Sequence, residues 1–334
     1  MKEFFAERRR MWQFFLVVAC VAAGWAGHVM WKIYSPDNVR GKIIREGARE
    51  LINPILSCEI GTKNVFIELR PIEEKLNKAV ERALDEGKAK DISVYVRMMN
   101  SGRWIGINED AKYVPASLMK VLVMMAYLKT AENDSQLLSQ RITYAHIDPL
   151  DLRPPGLELG MKYSVETLIR KMIVDSNNSA LYLLADNLPL NSLKEVFDDL
   201  NLKLPASQRE GEIEYMSPKT YSLVFRVLYG ASYLSREMSE KALEFLAGTS
   251  FKDGIVTSLL PSLTVAHKFG VSTVLENGST FRELHDCGIV YYPEHPYLLC
   301  VMTKGRDVED LKQVIGNVST VTYQEVGKFF QNGG

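Results

Sequence analysis

The sequence predicts a mixed α/β fold of the α+β type, in which an antiparallel sheet is flanked by helices and carries an inserted all-helical lobe. Two observations predict it. Strand-like runs occur at residues 92–108 and again at 266–303, whereas residues 133–265 between them follow helical spacing. The sheet is therefore built from both ends of the chain. A composition of 46% hydrophobic and 24% charged residues excludes a disordered chain or a polytopic membrane protein.

An uncharged apolar segment lies close to the N-terminus. Residues 11–31 contain no Asp, Glu, Lys or Arg, and a helix of that length, at about 1.5 Å per residue, spans about 30 Å, one bilayer core. Residues 1–10 are rich in Lys and Arg, so the positive-inside rule predicts a basic cytoplasmic flank. We expect a single-pass membrane anchor with the rest of the chain outside the cytoplasm.

Two other interpretations of this segment stay open. The small residues at 22–24 suit a signal-peptide cleavage site, and Cys20 is a possible lipoprotein attachment point. All three interpretations export the remainder of the chain. That remainder divides into a connector at residues 32–71 and a domain at residues 72–334.

A helix that starts at Pro71 opens the domain. A β-hairpin is predicted at residues 92–99 and 104–108, because the two runs are joined by an Asn-Ser-Gly turn. Ser117 then begins a run that is apolar nearly all round, which predicts a buried helix.

Helical spacing continues through the lobe. Ser164 caps a helix whose apolar residues recur at helical intervals from Val165 to Ile173. Other residues typical of helix starts and ends are Asn191, Ser217, Gly230 and Gly248. Three strands and a last helix are predicted at residues 266–272, 287–292, 297–303 and 318–331.

The cysteines and histidines indicate neither a metal site nor a disulfide scaffold. The 4 cysteines are widely scattered and the 5 histidines form no pairs at metal-ligand spacing, so we expect no metal and no cofactor. If Tyr292 pairs with Tyr297 in a hairpin, Cys287 and Cys300 lie diagonally, too far apart for a bridge. We therefore expect buried free thiols.

Ser117 and Lys120 form an S-x-x-K sequence. A spacing of three puts the hydroxyl and the amine on one helix face, at a helix start where free backbone N–H groups stabilise negative charge. A lysine desolvated among these apolar neighbours could take the serine proton and so activate a nucleophile. The alternative is a capping serine beside a surface lysine.

Two further polar groups accompany this pair. Ser176 and Asn178 lie two positions apart at a helix junction, where they either face a cleft or form an ordinary polar turn. Lys268 lies two residues before Gly270 on a predicted strand. It either faces a substrate or is an exposed edge-strand lysine.

In this order, the S-x-x-K, S-N-N and K-F-G sequences resemble the S-x-x-K, S-D-N and K-T-G motifs of class A β-lactamases and penicillin-recognising peptidases. The resemblance extends from about residue 72 to 331 and includes PASLMK and DCGIVYYPEHPYLL. It implies a β-lactamase/transpeptidase-like fold and three catalytic residues. Ser117 would become acylated, Lys120 would take its proton, and Ser176 would relay a proton to the departing nitrogen.

The resemblance also implies the substrate-binding residues. Asn178 would bind the side-chain amide of the substrate, and Lys268 would attract its carboxylate and hold the second serine. Beside Gly270, the backbone N–H groups of Val271 and Ser117 would form an oxyanion hole, each donor worth about 3 kcal/mol.

Three departures from the family pattern affect these expectations. Asn177 replaces an aspartate and removes one charge. Phe269 replaces a Thr or Ser and so lacks the hydroxyl that would contact the substrate carboxylate. The segment before Ser217 looks too short for the loop that carries the deacylating glutamate in class A enzymes. The candidates for that glutamate, which equally suit a solvated acidic rim, are Glu210, Glu212 and Glu214.

Together these patterns predict a membrane-anchored serine hydrolase that forms an acyl-enzyme with β-lactams and hydrolyses the lactam amide. The alternatives are a D-Ala-D-Ala carboxypeptidase or penicillin-binding protein with slow deacylation, and a non-catalytic cell-wall binding module. We expect a monomer whose substrate is a β-lactam or a peptidoglycan peptide. The balance of 40 Lys+Arg against 41 Asp+Glu predicts no nucleic-acid partner.

Overall fold

The computed structural model describes Leu51 and residues 69–145, 156–203 and 215–331. The predicted anchor at 11–31, most of the predicted connector and the three candidate glutamates lie outside the described residues. In the part of the chain that is described, no helix combines the length and the apolar character needed to cross a membrane.

A helix and a hairpin open the domain, as predicted. The elements before the lobe are helix α1 (Arg70–Asp85), strands β1 (Asp91–Met98) and β2 (Trp104–Ile107), a 3-10 turn (Ala116–Leu118) and helix α2 (Met119–Ala131). Pro71 lies in the first turn of α1, where its missing N–H costs no hydrogen bond. β1 and β2 pair antiparallel with Val96 opposite Ile105.

The inserted lobe is mainly helical. After a short 3-10 turn (Leu137–Ser139), its elements are β3 (Arg141–Thr143), β4 (Lys162–Ser164), α3 (Val165–Val174), α4 (Asn178–Asp186), α5 (Ser192–Asp199), α6 (Pro218–Tyr229) and α7 (Arg236–Ala247). Ser164 and Ser217 cap α3 and α6, since each hydroxyl accepts a hydrogen bond from the backbone N–H three residues on. The expectation of helix throughout the lobe is wrong at β3 and β4, where Ile142 pairs with Tyr163 in a two-stranded sheet.

The last strands complete the main sheet. These elements are β5 (Val265–Glu276), β6 (Ser279–Val290), β7 (Tyr297–Gly305) and helix α8 (Val308–Gln331). The antiparallel strands follow the order β2-β1-β7-β6-β5, so the sheet is built from both ends of the domain, as predicted. β5 lies at one end of this order.

The two faces of the sheet have different partners. One face packs against α1 and α8 through a buried cluster that includes Leu76 of α1, Val94 of β1, Val301 of β7 and Val314 of α8. Because side chains alternate along a strand, Ser93 and Tyr95 point to the opposite face. There α6 packs across β1, β6 and β7.

β5 and β6 are longer than the sequence predicted. They meet at a two-residue turn, with Glu276 opposite Ser279. Asn277 and Gly278 both have a positive φ, of 50° and 75°. This is the conformation that favours an Asn-Gly hairpin turn, because both central residues need φ above zero.

The expectation of free thiols at Cys287 and Cys300 is wrong, because the two residues form a disulfide between β6 and β7. Val290, not Tyr292, pairs with Tyr297, and this register places the cysteines directly opposite each other. The N–H of Tyr292 donates a hydrogen bond to the carbonyl of Val290 at 2.9 Å, so the β6–β7 ladder ends at Val290.

Candidate active site

Ser117 lies in the 3-10 turn that leads into α2, and it is half-buried. The preceding residue, Ala116, has a φ of 49°, a left-handed conformation that is uncommon outside glycine. Tyr221 of α6 holds the end of this turn, because its hydroxyl donates a hydrogen bond to the Leu118 carbonyl at 2.8 Å. Burial, with a smaller effect of the charge on Asp286, raises the pKa of Tyr221 well above its ordinary value, so this hydroxyl stays a neutral donor.

Lys120 lies in the first turn of α2 and is only 1% exposed, which rules out the alternative of a surface lysine. Its Nζ donates to three oxygens: the Ser176 carbonyl at 2.5 Å, the Ser176 Oγ at 3.2 Å and the Asn178 Oδ1 at 2.8 Å. All three oxygens can stabilise a positive charge on the amine. The structure therefore joins the first two sequence motifs in one hydrogen-bonded group, in which Lys120 and Ser176 are buried and Asn178 is half-buried.

The junction between α3 and α4 presents Ser176 and Asn178 to that lysine. Ser176 is 4% exposed and has a φ of 52°. Asn177, between them, caps α4: its Oδ1 accepts a hydrogen bond from the N–H of Ala180 at 2.7 Å. The departure from aspartate at this position thus keeps the capping oxygen, since an amide carbonyl caps a helix as well as a carboxylate does.

Strand β5 brings the third motif, Lys268 to Gly270, against the 3-10 turn Ala116–Leu118 that contains Ser117 and is called the nucleophile turn below. A Cβ on Gly270 would lie 2.9 Å from the Pro115 carbonyl oxygen and 3.1 Å from the backbone nitrogen of Ser117. Because Lys268 is two residues earlier on the same strand, its side chain leaves the same face. Lys268 is fully buried, which rules out an exposed edge-strand lysine. Its Nζ lies 4.3 Å from the centre of the Phe269 ring and donates to the Phe269 carbonyl at 3.2 Å.

Phe269 and Val271 belong to the other face of β5, where they pack against the core under α1 and α8. The Phe269 ring stacks on Phe251 with the ring centres 4.1 Å apart. This position therefore offers a substrate no hydroxyl. The expected contribution of Val271 is its backbone N–H, which does not depend on the direction of its side chain.

His267 is 1% exposed and pairs with Asp286, Nδ1 to Oδ1, at 2.9 Å. Within the described residues, no group of three or more His, Cys, Asp or Glu side chains gathers where it could hold a metal ion. The expected absence of a metal and a cofactor stays a prediction.

Sequence reasoning missed three residues that support the nucleophile turn, namely Tyr221, Glu283 and His285. Glu283 and His285 hold the backbone of Val114, three residues before Ser117. A signal was present, because two polar residues at i and i+2 of a strand share one face. Nothing in the sequence shows which segment that face meets.

Comparisons with known proteins match this architecture. The sequence profile of the beta-lactamase enzyme family matches residues 72–326. A β-lactamase of Streptomyces lavendulae is 23% identical over 248 residues, which cover 69% of this chain and 78% of that protein.

Two solved structures have a similar fold. The class A β-lactamase from Mycobacterium abscessus has a TM-score of 0.65 and 18% identity, covering 77% of this chain and 99% of the other. The L158E mutant of PBP-A, solved as an acyl-enzyme complex with penicillin G, has a TM-score of 0.64 and 20% identity, covering 76% and 97%. The predicted α+β fold with a β-lactamase-like arrangement is therefore confirmed.

Proposed function

The chain belongs to the beta-lactamase enzyme family, and from this premise we propose that it is a serine hydrolase acylated on Ser117 by β-lactams. The family predicted from the three motifs is thereby confirmed. The predicted class of enzyme is confirmed with it at the level of the family, because β-lactamases hydrolyse an amide bond.

The observation that carries the proposed mechanism is the hydrogen-bonded group formed by the buried residues Lys120 and Ser176 with the half-buried Asn178. In the first step the Ser117 Oγ attacks the lactam carbonyl and its proton passes to Lys120. The positive charge that results on Lys120 lies beside the oxygen atoms of Ser176 and Asn178, which stabilise it. Placing a base beside a serine in this way is how an otherwise weak nucleophile is activated.

The second step breaks the lactam C–N bond. Lys120 returns its proton through the Ser176 hydroxyl to the departing nitrogen, which leaves Ser117 as an ester. Backbone N–H groups at Ser117 and Val271 stabilise the oxyanion, and the close approach of β5 at Gly270 supports that geometry. Asn178 and Lys268 bind the amide and the carboxylate of the substrate. Water then hydrolyses the ester and restores the serine.

The alternative within the same chemistry is a penicillin-binding protein or D-Ala-D-Ala carboxypeptidase that deacylates slowly. It is favoured by the short segment before Ser217 and by the penicillin G acyl-enzyme of the PBP-A mutant. The two proposals share the acylation step and differ only in the rate at which water attacks the ester.

Labelling of the full chain with a fluorescent penicillin tests these proposals. We expect label on the wild type and none on Ser117→Ala or Lys120→Ala. Lys129→Ala is the matched control, because Lys129 lies on the same helix but pairs with Glu132. Rapid release of the label indicates a β-lactamase, and stable label indicates a penicillin-binding protein. Absence of Ser117-dependent label would leave the binding module, and labelling of Lys120→Ala at the wild-type rate would exclude Lys120 as the base.

We further propose that residues 11–31 anchor the chain in the cell membrane with the catalytic domain outside. The Cys287–Cys300 disulfide supports this location, since disulfides persist in oxidising compartments. Protease added to intact cells should degrade the domain while a cytosolic marker survives. If the domain is degraded only after lysis, the proposed topology is wrong. The expectations of a monomer and of no nucleic-acid partner stay predictions.

A further inference from the structure

Both backbone groups of Val114 are held by side chains from β6. The Val114 N–H donates to Glu283 Oε2 at 3.0 Å, and His285 Nε2 lies 3.0 Å from the Val114 carbonyl oxygen. Since a carbonyl only accepts, Nε2 carries the proton and donates it. Val114 therefore has its donor and its acceptor bound at once by two residues that are about 170 positions later in the chain.

These two side chains are fully buried. Glu283 Oε2 also accepts a hydrogen bond from the Ser272 hydroxyl at 3.1 Å, and the Lys304 Nζ lies 3.7 Å from Glu283 Oε1. His285 is opposite Gly270 in the β5–β6 pairing, and its ring makes an edge-to-face contact with the Tyr113 ring, with the centres 5.3 Å apart. Each side chain thus has a contact besides Val114, Glu283 with Ser272 and Lys304 and His285 with Tyr113.

The segment that follows Val114 needs such support. Ala116 has a φ of 49°, and a non-glycine residue persists in that conformation only where its surroundings over-determine it. Upstream, Tyr113 is held by a β-bridge to Met216 and by a contact of its hydroxyl with the Ser93 hydroxyl at 2.9 Å. The positions of Ser117 Oγ and of its backbone N–H depend on how firmly this turn is held.

We propose that Glu283 and His285 are positioning residues for the nucleophile, acting together as a clamp on Val114 that fixes the strained turn and the attack geometry of Ser117. This inference rests on the proposed acylation of Ser117. The clamp does not touch the substrate. It acts on the rate of acylation and leaves the affinity for the substrate unchanged, because Asn178 and Lys268, which bind the substrate, belong to other elements.

Paired substitutions in the full chain test the clamp. Glu283→Ala and His285→Leu remove the hydrogen bonds to Val114, whereas Glu283→Gln keeps an acceptor and His285→Gln keeps a donor. Ser319→Ala is the matched control. It removes a buried hydrogen bond on the other face of the sheet, from the Ser319 hydroxyl of α8 to the Ile255 carbonyl at 2.6 Å.

We expect the limiting rate of labelling at saturating fluorescent penicillin to fall about 10-fold to 100-fold in Glu283→Ala and His285→Leu. The half-saturating concentration should change little, and both Gln variants should recover most of the rate. Ser319→Ala should lower the thermal midpoint without slowing the labelling of the folded protein. Hydrogen exchange at residues 113–118 should increase in the two clamp-breaking variants only.

Three results would overturn the clamp. The first is that folded Glu283→Ala and His285→Leu are labelled at the wild-type limiting rate. The second is that Glu283→Gln and His285→Gln are labelled as slowly as those two variants. The third is hydrogen exchange at 113–118 that is the same in all variants, a measurement that needs no penicillin. A wild type that takes no label would instead refute the proposed function, and with it the role of the clamp in acylation.

Discussion

Gly270 is the residue at which β5 comes closest to the nucleophile turn. A Cβ at this position would lie 2.9 Å from the Pro115 oxygen, 3.1 Å from the Ser117 nitrogen and 3.2 Å from the Leu118 nitrogen. All three are backbone atoms, so no side-chain rotation can make room. The absence of a side chain therefore allows the contact between strand and turn that the proposed oxyanion hole requires.

We expect Gly270→Ala to slow acylation of Ser117 by about 10-fold or more, because the added methyl group pushes the turn and the strand apart. Gly316→Ala is the control. Its Cβ would meet the Thr257 side chain at 3.5 Å, an ordinary contact, and alanine is the better helix former in α8. The measurement is the rate at which fluorescent penicillin labels each of the two variants. Equal and unchanged rates would show that the close approach is irrelevant to acylation.

Those features of the helices and strands that depend on local chemistry were predicted from the sequence. The caps at Ser164 and Ser217 are found where expected, because a serine hydroxyl binds a backbone N–H only three residues away. The buried character of α2 is also found, since a run that is apolar on every side has no face suited to water.

The limits of the strands and of α8, and the register between β6 and β7, depend on features that were not used in the predictions from sequence. The turn at Asn277 and Gly278, with φ above zero at both residues, extends β5 and β6 beyond their predicted limits. α8 begins ten residues earlier than expected, at Val308, where the Asp307 carboxylate accepts the N–H of Glu309 at 2.7 Å. The cysteine pairing was missed because one shift of two residues in the hairpin register separates a diagonal pair from a facing one.

The residues of the candidate site also differ in whether local sequence is enough to predict them. Ser117, Lys120 and Ser176 were recognisable because they lie in short motifs whose spacing has a chemical reason. Glu283 and His285 were not, because their contacts with Val114 join residues 169 and 171 positions apart, and only the folded sheet brings such residues together.

At the scale of the whole molecule, the predicted connector is attached to the catalytic domain at Leu51. The Leu51 N–H donates to Glu240 Oε1 at 2.8 Å, and its carbonyl accepts the Tyr291 hydroxyl at 2.7 Å. Its side chain is 7% exposed. A residue that precedes α1 by almost twenty positions is thus bound by α7 and by the segment after β6.

We expect Tyr291→Phe to loosen this attachment, because a buried carbonyl without its donor costs about 1–3 kcal/mol. Since about 1.4 kcal/mol corresponds to a factor of ten, trypsin should cut after Arg49 about tenfold faster in the variant, while penicillin labelling of Ser117 is unchanged. Tyr292→Phe is the matched control, because that ring packs against Tyr323 with the centres 5.4 Å apart. If both variants are cut at the wild-type rate, the Tyr291 hydroxyl does not hold the connector. Faster cutting in both would indicate a general loosening of the segment after β6 instead of the loss of one hydrogen bond.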